Sequence, residues 1–183
     1  MPHLRCNSCG VVSYAPVSGA GSCPECGVPW PARTDRVIRS AGPEQRLSAL
    51  VRMTRDLLDV DLALLTVIAD GRETVRMSAG GWPEVTLRRG DSLPLEETFC
   101  RLMLEGRIGN VVRDTGDEPA VADIELVRRL GARAYLGVPI RPSDAELYVL
   151  CCLAREARPG FGLREVRLLS GLAESVRAEL QSD

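Results

Sequence analysis

The chain has 183 residues, 45% of them apolar, and a formal net charge of −2. That length suits one ordinary domain plus an appendage. The charge balance argues against a dedicated nucleic-acid binder, which would be strongly basic, and no apolar run of about 18 residues predicts a membrane span. All 23 basic residues are arginine, which reads as the coding bias of a GC-rich bacterial genome. The N-terminus enters a cysteine pair with no apolar leader before it, so a cytoplasmic protein is expected.

Residues 1–30 carry the strongest chemical signal. Cys6-Asn7-Ser8-Cys9-Gly10 and Cys23-Pro24-Glu25-Cys26-Gly27 are two C-x-x-C-G units separated by thirteen residues. Each tight turn can aim two sulfurs at one ion, and Cys6, Cys9, Cys23 and Cys26 together make the tetrahedral shell of structural zinc. This predicts a zinc ribbon with one zinc per chain. The other readings are a disulfide pair, which a cytoplasm disfavours, and a rubredoxin-type iron site with the same ligands. Metal binding would supply the ribbon's folding free energy. All four sulfurs would be used, so the expected role is structural or adhesive: docking a partner protein, a nucleic acid or the chain's own downstream domain. Residues 1–40 hold Arg5, Arg33, Arg36 and Arg39 against Glu25 and Asp35, too mild a charge to imply DNA or RNA.

Residues 31–42 read as a linker, kept wet by Arg33, Asp35, Arg36 and Arg39 and broken by prolines on either side. Pro43 opens an amphipathic helix with Leu47, Leu50, Val51, Leu57 and Leu58 as its stripe. Leu62–Ala69 is nearly all apolar, as a strand covered on both faces would be. Asp70-Gly71 is a hairpin turn, and Glu73–Ala79 and Val85–Arg89 are expected as the next strands, with Trp82 between them.

Leu93–Arg141 reads as helix, strand, acidic loop, helix, strand. Leu95, Phe99, Leu102 and Met103 fall on one helical face, and Gly106 ends that helix. Ile108–Val112 is a short strand, Asp114–Pro119 a turn-rich loop, Ala122–Leu130 a helix and Ala134–Ile140 a strand that runs close to its neighbours at Gly137. Asp114, Asp117, Glu118 and Asp123 read as a solvated face and a helix cap. Leu147–Leu153 is apolar throughout and should be central. The last helix carries Val166, Leu169, Leu172, Ala173, Val176 and Leu180 on one side.

Leu93-Pro94-Leu95, Thr98-Phe99-Cys100, Val112-Arg113-Asp114 and Tyr135-Leu136-Gly137-Val138-Pro139-Ile140 together resemble the GAF domain, a small-molecule-sensing module of signalling proteins. The resemblance covers roughly residues 43–181. It implies a hairpin at Ser143–Glu146, a strand over Leu147–Arg155 and a closing helix within Phe161–Leu180. The fold class expected is therefore α+β: a GAF-like antiparallel sheet of about six strands flanked by helices, preceded by the zinc ribbon. The domain would span residues 43–183. In relatives the first and last helices pack on one side of the sheet and often form a dimer interface, so a homodimer is expected.

The resemblance also places Cys100 on the wall of a ligand pocket. Cys151 and Cys152 are adjacent on a strand, so one faces the helix pair and the other the pocket. The candidate ligand-binding residues are Phe99, Cys100, Met103, Tyr135 and Cys152. The plain reading of the three cysteines is small buried hydrophobes; the sharper one is a redox-sensitive or metal-binding pocket. The only histidine is His3, which excludes a Ser-His-Asp triad within the domain and conventional His-ligated haem there. No phosphate-binding glycine loop is present. The function expected is a non-catalytic sensory protein that binds an unknown small molecule or reads redox state. One alternative is a ligand-free dimerisation scaffold with the ribbon as recognition module; another is a thiol-dependent enzyme acting through Cys100.

Overall fold

The computed structural model describes residues 3–5, 12–14, 42–83, 85–124, 127–128 and 131–182. The predicted zinc ligands Cys6, Cys9, Cys23 and Cys26 and the linker up to residue 41 lie outside the described residues. The chain divides into two units, Met1–Gly42 and Pro43–Asp183. In the first, β1 (His3–Arg5) pairs antiparallel with β2 (Val12–Tyr14).

The second unit opens with α1 (Pro43–Leu58), whose buried residues are Leu47, Val51, Thr54 and Leu58. Their spacing of four, three and four places them on one stripe. Leu57, expected on that stripe, is 56% exposed. It sits about 80° round the helix from Leu47, whereas Thr54 falls in line. The Thr54 hydroxyl donates to the Leu50 carbonyl at 2.9 Å, which satisfies it without solvent.

Next come β3 (Leu62–Ala69) and β4 (Arg72–Gly80). They are joined at Asp70 and Gly71, which both take positive φ, as a tight hairpin turn with right-handed strand twist requires. The strand expected over Val85–Arg89 does not form: Val85 makes one isolated bridge to Trp82, and the chain turns again at Arg89–Gly90. The edge strand is instead β5 (Ser92–Pro94), paired with β4. A 3₁₀ turn at Leu95–Glu97 leads into α2 (Phe99–Leu104), so Leu95 is half-buried outside the helix proper. The strand expected over Ile108–Val112 shortens to β6 (Val111–Val112). Of the helix expected over Ala122–Leu130, Ala122, Asp123 and Ile124 are not helical, Val127 and Arg128 are, and residues 125, 126, 129 and 130 lie outside the described residues; a 3₁₀ turn at Pro119–Val121 precedes it. β7 (Ala134–Ile140), β8 (Leu147–Ala154) and α3 (Leu163–Leu180) complete the unit.

The strands form one six-stranded sheet, ordered β5-β4-β3-β8-β7-β6, with every pair antiparallel. On one face lie α1 and α3, with Leu47, Val51, Leu169 and Val176 packed on Leu65, Leu136 and Leu150. Arg46 and Glu179 join the two helices at 2.6 Å. The other face is covered by α2 and the loops, around Leu64, Phe99, Leu102 and Tyr135. Among the described residues no helix is long and apolar enough to cross a membrane.

Candidate functional site

The second face of the sheet carries polar side chains where a plain core would carry aliphatics. A register shift between Leu65 and Thr66 sets Leu65 opposite Met77 and Thr66 opposite Val75, leaving Arg76 as the extra residue. The bulge reverses which residues of β4 point where. Met77 and Ala79 face the helices; Val75 and Glu73 face the other side, against Thr66 and Cys151. Without that extra residue Glu73 would share a face with Met77 and lie under α1 and α3.

Helix α2 meets this face through its first turn. Thr98 caps it, its hydroxyl accepting from the Arg101 N–H at 3.3 Å and donating to the Leu95 carbonyl at 2.9 Å. The cap aims Phe99 and Cys100 at the sheet, where both are buried. Phe99 stacks on Tyr135, ring centroids 4.9 Å apart and planes 7° from parallel. Tyr135 lies along β7 over Gly137, where any Cβ would run into its hydroxyl. That hydroxyl donates to the Cys100 sulfur at 3.5 Å. The absence of a side chain at Gly137 is therefore what lets Tyr135 reach Cys100.

Glu73, Cys100 and Cys151 converge: one carboxylate oxygen and the two sulfurs lie within 4.8 Å of one another, and all three residues are buried. Glu73 Oε2 has no hydrogen-bond partner. A buried polar atom left unsatisfied costs about 1–3 kcal/mol, and more when charged. The cavity beside these groups measures about 30 Å³. A water needs roughly 10–15 Å³ on that measure, so one water enters comfortably and an organic ligand does not.

Cys100 and Tyr135 are both held protonated. Cys100 lies well above the ordinary thiol value, first through its hydrogen bond with Cys151, then through burial and the negative charges of Cys151 and Glu73; the Tyr135 hydroxyl pulls the other way. Burial, then the Cys100 and Cys151 charges, raise Tyr135. These are buried, protonated groups, not a poised thiolate.

The GAF domain family matches residues 42–180. The chain belongs to the GAF family. No curated protein matches the sequence significantly. Among solved structures, the phycocyanobilin-bound GAF domain of a cyanobacterial phytochrome is similar, with a TM-score of 0.64 at 16% identity over 81% of this chain and 90% of that one. The GAF domain of a phosphoenolpyruvate-protein phosphotransferase from Coxiella burnetii has a TM-score of 0.61 at 21% identity, over 80% and 87%. That of the Acinetobacter phosphoenolpyruvate-protein phosphotransferase has 0.59 at 18%, over 79% and 86%. At such identities the likeness concerns the fold.

Within this GAF domain, Phe99, Cys100 and Tyr135 line one cavity on the pocket face. Met103 is buried in the same cluster but does not line the cavity. Cys152 is on the opposite face, among the residues under the helix pair. The pocket cysteine is Cys151, which pairs with Leu64 and Gly137, because strand alternation sends the two sulfurs to different sides. Glu73 was missed altogether. It follows the Asp70-Gly71 turn, where a glutamate ordinarily reads as solvent-facing, and only the bulge three residues on, at Arg76, turns it inward. The acidic loop caps 3₁₀ turns at Thr115–Asp117 and Pro119–Val121, not a helix beginning near Val121. Asp114 accepts from the Gly116 N–H at 2.9 Å and is gripped by the Arg133 guanidinium at 2.7–3.0 Å, and these contacts hold its carboxyl below the usual range.

Proposed function

We propose that this chain is a non-catalytic bacterial sensory protein whose GAF pocket reads a very small species, and whose N-terminal zinc ribbon contacts a partner protein. The observation that carries the reading is the buried, unpartnered carboxylate oxygen of Glu73 beside two thiols. A purely structural pocket gains nothing from it. Organic ligands occupy pockets of roughly 300–1,000 Å³, against about 30 Å³ here. Phycocyanobilin, held by one of the similar GAF domains, is therefore a poor candidate, and an ion or a few-atom molecule a good one. Catalysis by Cys100 is disfavoured by its burial and raised pKa. The output leaves through a dimer or a partner in the cytoplasm.

The small cavity also favours a second reading, a ligand-free dimerisation scaffold. Its interface would include Met53 and Leu57 on α1 and Leu168 on α3, which are 43%, 56% and 39% exposed. Native mass spectrometry of protein purified from its own host separates the two. The sensory reading expects an adduct or ion that depends on the pocket; the scaffold expects a dimer with none. Replacing Cys9 with Ser should abolish zinc binding by the N-terminal unit and leave the GAF domain melting cooperatively.

A further inference from the structure

We infer that Glu73, Cys100 and Cys151 are the ligands of one thiophilic divalent cation of the zinc class. The inference rests on the sensory reading above and gives its ligand a chemistry. The donors come from three separate elements, β4, α2 and β8, and their ligand atoms lie within 4.8 Å of one another. A tetrahedron with zinc–sulfur bonds of about 2.3 Å has edges of about 3.8 Å. Closing onto an ion therefore takes roughly 1 Å of side-chain movement.

Three further features fit. Glu73 Oε2 is buried without a partner, as an oxygen meant for an ion would be. The adjoining cavity of about 30 Å³ holds a water, the fourth ligand that a three-residue zinc site ordinarily keeps. The Tyr135 hydroxyl, already donating to Cys100 Sγ, supplies the outer hydrogen bond that steadies a coordinated thiolate. Two sulfurs in three ligands exclude magnesium and calcium, which take oxygen shells. On binding, the Cys100 and Cys151 thiols each release a proton to solvent and a metal–sulfur bond replaces each S–H bond. The dication then offsets two of the three negative charges, and the water and Tyr135 face the third. The ligands are separate from the N-terminal cysteines, so the site adds its own equivalent of metal.

The test is metal content and cobalt(II) titration of the full chain. The zinc equivalent of the pocket should vanish in Cys151→Ala and persist in Cys152→Ala, the same change one residue along on the opposite face. Glu73→Gln, nearly isosteric, should weaken cobalt(II) binding at the pocket roughly tenfold or more while the domain still melts cooperatively. It decides the matter if Cys151→Ala fails to fold. Cys6→Ala with Cys9→Ala should leave the pocket equivalent in place. Metal content indifferent to both Cys151→Ala and Glu73→Gln overturns the assignment. So does a non-reducing peptide map that finds Cys100 and Cys151 joined in a disulfide. A pocket-dependent organic adduct in place of metal overturns the cation and leaves the sensory reading standing. Neither adduct nor pocket metal removes both.

Discussion

The two faces of the central sheet bury similar numbers of side chains for different ends. Cys151 and Cys152 show the contrast in adjacent residues. Under α1 and α3, Cys152 sits among Ala63, Leu136 and Leu169, and the buried Thr54 hydroxyl on that side is satisfied within its own helix. Under α2, Cys151 meets Cys100, and Glu73 keeps an unpaired oxygen. A face optimised for stability excludes such groups. A face that retains them has accepted a cost, and such costs concentrate at functional sites.

The largest effect expected from this contrast is on the helix face. Leu65 is fully buried there, and Leu65→Ala should destabilise the domain by about 2–5 kcal/mol through lost burial and a residual cavity. Urea denaturation measures it. On the pocket face the sign should reverse at one position. Glu73→Met removes the unpartnered oxygen at similar volume and should stabilise the metal-free protein by about 1–3 kcal/mol. A loss of stability on that substitution would mean that Glu73 is a structural residue and that the two faces do not differ in kind.

The central strands of the domain were readable from their apolar runs, and the sheet that joins them from the GAF resemblance. Leu62–Ala69, Ala134–Ile140 and the apolar run from Leu147 are strands as expected, since residues buried on both faces leave an unbroken apolar run. The site was readable only in part. Phe99, Cys100 and Tyr135 stand on elements whose facing follows from simple alternation or helical spacing. Glu73 and the choice between Cys151 and Cys152 depend on register, and register is a tertiary property: the bulge at Arg76 and the pairing of Cys151 with Gly137 leave no local mark. Val85–Arg89 has strand-forming residues but is held outside the sheet, where the 92–94 segment takes the edge of β4.

Alkaline pH probes both faces together. Cys100, Tyr135 and Cys152 are all raised in the folded state, Cys152 chiefly by burial. The unfolded chain therefore deprotonates first. Stability is fully present below the unfolded values and is lost as pH climbs above about 8.5 for the thiols and about 10 for the tyrosine. Each such group should contribute a fall of about 1.4 kcal/mol per pH unit in its window. Replacing Cys100 and Cys152 with Ala should flatten the curve up to about pH 10 and leave the tyrosine's share beyond it. With metal bound, the contribution of Cys100 should disappear first, because the coordinated thiolate has no proton to lose. A curve unchanged by saturating zinc would separate the pocket cysteines from any ion.

The smallest stability effect is expected outside both faces. Leu57 faces solvent one helical step away from the buried stripe of α1, and Leu57→Glu should change monomer stability by no more than about 0.5 kcal/mol. Its effect on assembly should be far larger if α1 and α3 meet a second copy, since a charge at the centre of an apolar contact is left desolvated and unpaired. Sedimentation velocity of the wild type and Leu57→Glu at matched concentration separates these effects. A dimer that Leu57→Glu disperses assigns assembly to the outer surface of the helix pair and leaves the pocket face free for sensing. A dimer that survives the substitution must close through another surface, and the exposed leucines on α1 and α3 would then be ordinary surface residues.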